Sequence, residues 1–256
     1  MKRLLFLLSL SVILGTSPSR AADSGDSSSQ KENGWHFYLP TYLWAAGARG
    51  TTSTLPGIPA GDLDVSFSDS LKDLDIAVVT TMFAHKDRLL FLVDLSWSRL
   101  SPTQSATFKG NPIELKFSSE AFTLTGAAGY RLVNDPSVVI DAYAGAKYWY
   151  MDNSASVEPA VVTPSSIGRT ESWVDGVVGG QILYNLTDQV YVGALGFVGA
   201  GGSKIYGDIY GGVGYRIDQK WELFAGYRAQ RVERENDQFL YMVTQYGPLV
   251  GFGARF

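Results

Sequence analysis

From Gly34 onward the chain alternates. In "LLFLVDLSWSRL", Phe91, Val93, Leu95 and Trp97 take one set of positions and Asp94, Ser96 and Ser98 the other, the period of a strand with two unlike faces. "WELFAGYRAQ" repeats this, with Trp221, Leu223, Ala225 and Tyr227 against Glu222, Gly226, Arg228 and Gln230. "VVIDAYAGAKYWY" sets Ile140, Ala142, Ala144, Ala146, Tyr148 and Tyr150 against Asp141, Tyr143, Gly145, Lys147 and Trp149. "DIYGGVGYR" sets Ile209, Val213 and Tyr215 against Asp208, Tyr210, Gly212, Gly214 and Arg216. The closing "YGPLVGFGARF" carries Tyr246, Pro248, Val250, Phe252, Ala254 and Phe256 on one face, and Gly247, Gly251, Gly253 and Arg255 on the other, with Leu249 the exception.

Four polar turns separate strand pairs: "HKDR" (85–88), "VNDPS" (133–137), "NLTD" (185–188) and "IDQK" (217–220). Their Asn, Asp and Pro residues are turn chemistry. Mostly longer connections lie between them, at 51–72, 101–112, 152–170 and 233–238, with a brief Gly-rich one at 200–204. The pattern predicts ten strands, near 35–50, 73–84, 89–100, 113–132, 138–151, 171–184, 189–199, 205–216, 221–232 and 239–256. Each is as long as the ~9–11 residues that a tilted strand needs to cross a bilayer. An even antiparallel barrel puts both termini and the short turns on one side, and the long loops on the other. The expected fold is therefore all-β: a transmembrane, antiparallel, up-and-down β-barrel of about ten strands, with eight or twelve the alternatives. Bulges are expected at Pro40 in the first strand and near Ser119 in the fourth, where the alternation changes phase.

A soluble sandwich or lipocalin-like barrel also alternates, but with its bulky face inward. Here the face opposite the aromatics carries Asp, Lys, Arg, Gln and Gly, which suits a narrow polar interior. Trp97, Tyr130, Tyr148, Tyr150, Tyr184, Tyr215, Trp221 and Tyr227 stand near strand ends, as an interfacial girdle requires. The ending "GFGARF" resembles the C-terminal strand of Gram-negative outer-membrane β-barrel proteins. "YLWAAGARG", "ESWVDGVVGG", "GGVGYRIDQKWELFAGYR" and "GPLVGFGARF" are similar to a functionally uncharacterised group of small barrels, loosely related to the opacity-protein and OmpW-like porin families. The resemblance runs from about Gly34 to Phe256, without an appended OmpA-type periplasmic domain. It implies a bacterial outer-membrane location and contact with outer-membrane lipid. It also implies recognition of the last strand by the barrel assembly machinery, with Phe256 as the assembly signal, facing lipid on a strand that closes against the first.

The N-terminus fits export. Lys2 and Arg3 precede an apolar stretch from Leu4 to Gly15, and Ser19-Arg20-Ala21 follows. This is the pattern of a cleaved signal peptide over residues 1–21, too short in its apolar part for a membrane anchor. Residues 22–33, polar and simple, read as a flexible periplasmic lead-in, and 34–256 as the barrel. The chain has no cysteine, which excludes disulfides, thiol catalysis, thiolate metal sites and a lipidated N-terminus. Cleavage removes Lys2, Arg3 and Arg20, so the 21 basic residues fall to 18 against 25 acidic. A net charge of −7 argues against nucleic acid as a partner. The expected state is a monomer.

Candidate chemistry is sparse. His36 and His85 are the two histidines, and neither has a Ser two residues away on its own strand, so no hydrolase pair is displayed. Both read as structural or solvated. Gly202-Ser203-Lys204 has the wrong order, and a strand after it, for a phosphate-binding loop. Asp62, Asp64, Asp69, Asp73 and Asp75 match no calcium-loop spacing and read as a solvated outer loop with a short helical turn at 68–72. No catalytic residue, cofactor or metal is expected. Taking Phe256, Tyr227 and Trp97 as outward turns Asp94, Asp141, Lys147, Asp208, Arg216, Glu222, Arg228 and Arg255 inward. Buried charges require partners, so these eight are expected to pair across neighbouring strands in a largely plugged lumen. The function expected is a structural or narrow-pore barrel for ions or small solutes, with specificity in its outer loops. A lipid-modifying hydrolase and an adhesin-like surface barrel are the alternatives. Replacing Phe256 with Asp is expected to slow or block membrane assembly, read as loss of the heat-modifiable band on gels. Normal insertion would remove Phe256 from the signal.

Overall fold

The computed structural model describes residues 34–72, 74–108, 111–158 and 166–256. The expected signal peptide and lead-in lie outside these residues. Among the described residues, thirteen strands and one short helix follow one another as β1 (His36–Trp44), β2 (Gly47–Ser53), β3 (Gly61–Val65), α1 (Phe67–Lys72), β4 (Leu74–Lys86), β5 (Leu89–Leu100) and β6 (Thr103–Phe108), then β7 (Asn111–Asn134), β8 (Val138–Glu158), β9 (Ser166–Asn185), β10 (Val190–Gly201), β11 (Ile205–Arg216), β12 (Trp221–Asn236) and β13 (Phe239–Arg255). The spatial order is β1-β4-β5-β7-β8-β9-β10-β11-β12-β13, and β13 returns to β1. All neighbours are antiparallel. This is the expected closed barrel of ten strands. The strands left over, β2, β3 and β6, elaborate its loop end: β2 continues β1 along β13 and carries β3, and β6 folds back on β7.

The burial pattern fixes the faces. Phe91, Val93, Val178, Ile182, Ile209, Leu223, Val250 and Phe252 are exposed on the outside, while Leu92, Asp94, Asp141, Lys147, Glu222 and Arg228 are buried inside. The outward apolar run on β9 extends from Val174 to Tyr184. Ten strand steps of about 3.3 Å, tilted by about 40°, span roughly 25 Å, the height of a barrel's lipid-facing band. Above Val174 the outward residues are Ser172, Thr170 and Gly168. The strands therefore rise well past the lipid on the loop side.

This explains the phase change near Ser119, which is not a bulge. The β7–β8 register is unbroken from Glu114 to Arg131, and the one shift lies between Arg131 and Val133. What changes is the surroundings. Beyond the lipid band the outward face meets water, so it carries Glu114, Lys116 and Glu120, while Ile113 is buried inside. Pro40 makes no bulge either. The β1–β13 register runs through it without a shift, but on the β4 side pairing lapses at Leu39 and Pro40. Proline has no N–H to give; its carbonyl instead accepts the Thr80 hydroxyl at 3.2 Å.

At the short-turn end, side chains supply the turn geometry. The Asp135 carboxylate accepts the Ser137 N–H at 2.9 Å, the Thr187 hydroxyl accepts the Val190 N–H at 2.9 Å, and Asp218 accepts the Trp221 N–H at 2.7 Å. The bonds from Trp221 and Lys220 hold the Asp218 carboxyl below its ordinary range. The first turn is tighter than "HKDR": only Asp87 and Arg88 lie between the paired Lys86 and Leu89, and Asp87 adopts φ 53°, a conformation that Asp tolerates. At the other end α1 covers the helical turn expected at 68–72 and begins one residue earlier, and the Ser66 hydroxyl caps it by accepting the Asp69 N–H at 3.2 Å.

The interior is filled by aromatic rings lying across glycines of the next strand. Tyr191 covers Gly214, Phe197 covers Gly179, and Tyr38 covers Gly253; a Cβ built on these glycines would stand 2.1, 2.4 and 2.4 Å from the respective rings. Gly214→Val is therefore expected to lose about 1–3 kcal/mol through overpacking, measured by urea unfolding of protein refolded in lipid vesicles. Gly207→Ala, with nothing within 4 Å of the new Cβ, should leave the midpoint unchanged or slightly higher.

Candidate functional site

The interior divides into levels along the barrel axis. Arg228 is the centre of the charged level. Its Nε donates to Asp208 Oδ1 at 3.0 Å and its Nη2 to Asp208 Oδ2 at 2.5 Å, a two-pronged pair. Nη1 donates to the Tyr42 hydroxyl at 2.6 Å. Asp94, reaching from β5, stands 3.7 Å from Nη2 and accepts the Thr81 hydroxyl at 2.8 Å. The Trp44 ring lies 4.9 Å from the guanidinium carbon. Tyr206 and Gln230 complete the shell of Asp208, donating at 2.9 and 3.2 Å. Removing charges from water is costly unless every prong is met; here side chains from four strands and the β1 tyrosine meet them.

Lys147 sits beside this group and is 0 % exposed. Its ammonium donates to the Thr123 and Thr125 hydroxyls at 3.3 and 3.2 Å, and it lies 4.8 Å from the Trp149 ring and 5.3 Å from the Tyr206 ring. Two hydroxyls and two ring faces thus hold the cation directly. The carboxylates around it act at longer range, Asp175 among them, directly opposite on β9.

Above the charges is an aromatic level. Trp149 and Trp173 stack at 5.5 Å with planes 10° apart, Tyr206 meets Trp149 edge-on at 5.5 Å, and Phe239 packs on Trp173 at 6.1 Å. Asp175 ties this level together: it accepts the Trp149 indole N–H at 2.9 Å and the Ser203 N–H and hydroxyl at 2.6 and 2.8 Å. Ser203 in turn accepts the Trp173 indole N–H at 2.8 Å. The Gly-Ser-Lys loop is thus a lid-like turn pinned to a buried carboxylate.

Towards the short turns, Glu222 accepts Arg255, Tyr38 and, at 2.5 Å, Tyr191. Asp141 accepts Arg131 in a second two-pronged pair at 2.9 and 3.2 Å. His36 and His85 are cross-strand neighbours whose rings stack at 4.8 Å, on the strands and not in the turn where His85 was expected.

Of the eight inward charges expected from the sequence, Asp94, Lys147, Asp208 and Arg228 come together in one level. Glu222 and Arg255 pair across β12 and β13, as neighbours should. Asp141 pairs with Arg131, which the sequence reading passed over. Arg216 stands apart, donating to the Asn185 side chain at 2.8 Å and the Asp188 carbonyl at 3.2 Å. Asp175 and the inner tyrosines Tyr38, Tyr42, Tyr191 and Tyr206 were also missed. Asp175 was visible as an acid two positions from Trp173 and Val177 on a strand with alternating faces; the hydroxyls gave no signal, because tyrosine suits either face of such a wall.

Among solved structures, the chain is similar to the outer membrane protease OmpT from Escherichia coli, with 9% identity over 86% of this chain and 96% of that one and a TM-score of 0.56. It also matches the translocator domain of the autotransporter NalP from Neisseria meningitidis, at 13% identity, 88% and 90% coverage and a TM-score of 0.47. A third match is Ail, the attachment invasion locus protein of Yersinia pestis, at 11% identity, 88% and 99% coverage and a TM-score of 0.33. No protein-family model matches the chain, and no curated protein matches it. At 9% identity the likeness to OmpT is one of fold: the closed ten-stranded wall is of the outer-membrane β-barrel kind.

Asp175→Ala would strand the Trp149 indole and both Ser203 donors and take away a charge facing Lys147. A loss of about 3–5 kcal/mol is expected in urea unfolding from vesicles, and a smaller one for Asp175→Asn, which keeps an acceptor. Equal losses would mean that the charge contributes nothing.

Proposed function

We propose that this chain is a non-catalytic outer-membrane barrel with a structural or narrow-pore role, passing at most ions or very small solutes. The observation that supports this is the density of paired side chains across one level of the lumen. Arg228, Asp208, Lys147 and Asp175 are all held by side chains from facing strands, and the stacked Trp149 and Trp173 lie directly above them. Such a level admits a solute only by parting ion pairs that are costly to separate.

Specificity then belongs to the part that rises past the lipid. β7, β8 and β9 extend far beyond the apolar band, and β2, β3 and β6 thicken the wall there. A surface-contact role of the adhesin-like kind rests on the same extension. Export by a cleaved signal peptide, insertion by the assembly machinery with Phe256 as its signal, and a monomeric state complete the reading. Phe256 supports it by exchanging backbone hydrogen bonds with Phe37 at 3.0 and 2.9 Å while its side chain stays exposed.

Conductance in a planar bilayer tests the proposal. The refolded protein should show no porin-sized step, and Arg228→Ala, checked for folding by heat-modifiable gel migration, should raise whatever small conductance exists. A large conductance in the unaltered protein would falsify the sealed lumen. Silence in both would leave the structural and surface roles and remove the pore.

A further inference from the structure

Below the charged level the interior is not filled. A cavity of about 220 Å³ lies between Arg228 and the short turns. At ~30 Å³ of liquid volume per water this is room for about seven waters, and it falls below the ~300 Å³ at which pockets for drug-sized ligands begin. It suits a molecule of one ring. Leu90, Leu92, Leu183, Leu195, Phe83 and Tyr191 supply much of its wall, so an apolar body is favoured there over ordered water.

The carboxylates on this wall are already engaged. Asp141 holds Arg131, Glu222 holds Arg255 and two tyrosines, and Asp208 and Asp94 hold Arg228. They have little to offer a cation. Arg216 is different. It lines the cavity at the short-turn end, half-buried, with the Tyr191 ring 4.7 Å from its guanidinium carbon. Its hydrogen bonds go to the neutral oxygens of Asn185 and Asp188. The register sets it directly opposite Glu222, yet Glu222 turns to Arg255, and among the described residues no carboxylate forms an ion pair with Arg216. A guanidinium without a counter-charge, at the edge of an apolar chamber of single-ring size, is complementary to one chemistry: a small amphipathic monocarboxylate.

We propose that the cavity is a binding site, entered from the short-turn side, for a small aromatic or short aliphatic monocarboxylate, with the carboxylate on Arg216 and the apolar body against Leu183, Leu195 and Leu90. The site does not depend on the pore reading, since a sealed and a conducting barrel both contain the chamber.

The test is calorimetric titration of the protein in lipid nanodiscs, with empty nanodiscs subtracted. The probes are 3-phenylpropionate and its uncharged analogue 3-phenylpropan-1-ol. The unaltered protein should bind the acid saturably and at least tenfold more tightly than the alcohol. Arg216→Gln should weaken the acid at least tenfold and leave the alcohol within about twofold. Leu195→Trp, which fills the chamber, should abolish both. No saturable binding of the acid overturns the site, and an acid bound no better than the alcohol overturns the role of Arg216. The second comparison uses the unaltered protein alone, so it stands even where Arg216→Gln fails to fold. Bilayer conductance is a separate measurement, so failure of the binding site and failure of the sealed lumen are read independently.

Discussion

Everything in this molecule depends on β1 closing against β13. Lipid offers no hydrogen bonds, so a wall facing it must satisfy its own backbone, and a sheet can do so only as a ring. Seven consecutive pairs, from Tyr38 with Arg255 to Trp44 with Leu249, make the seam. Phe37 and Phe256 extend it by one more exchange. β2 carries the same register upward along β13, from Gly47 to Ser53. The seam is weaker on the other side of β1, where Pro40 interrupts the pairing with β4. There the Thr41 and Thr80 hydroxyls meet at 3.0 Å, replacing part of what the backbone cannot supply.

Closure turns the usual arrangement of a protein inside out over the lipid-facing half. The outward residues need no more than apolar bulk, whereas the inward ones must fill a narrow space without leaving a charge alone. Two devices achieve this. Rings laid over glycines fill volume, and forked arginine–carboxylate pairs with tyrosine and tryptophan donors absorb the charge. The devices are linked. Tyr42 donates its space and accepts from Arg228, and Tyr206 packs on Trp149 while donating to Asp208. Past the lipid the outward requirement changes to polar, and the same strands continue with the faces' chemistry altered but their register intact.

That continuity explains what was legible in the sequence. Strand number and the inward set from Asp94 to Arg255 follow from alternation, because a two-residue period is a local property of each strand, and turn chemistry marks the short turns except the first, which is tighter than expected. The apparent bulge near Ser119 misled for a physical reason: alternation reports the contrast between two environments, and the contrast itself changes where the strand leaves the lipid. Partners were less legible. Arg131 meets Asp141 because of how β7 and β8 align, and Ser203 meets Asp175 because a tight turn folds over β9. Neither distance is local, and a serine or an arginine near a strand end carries no mark of its partner. Arg216 shows the opposite error. Register alone pairs it with Glu222, but Glu222 has better donors in Arg255, Tyr38 and Tyr191.

The glycines help the wall itself to fill the interior. Inward glycines such as Gly179, Gly214 and Gly253 remove a side chain and let a neighbouring ring lie across the strand, so ring and glycine together occupy what two medium residues would. Flat rings leave little freedom for a side chain to swing aside and open a path. Around Trp149, Trp173 and Tyr206 the rings pack directly on one another. The cavity lies where Leu90, Leu92, Leu183 and Leu195 stand among such rings, with Tyr38, Tyr191 and Phe197 in the same lining. The charged and aromatic levels are built from strand side chains, joined by Ser203 in the β10–β11 turn.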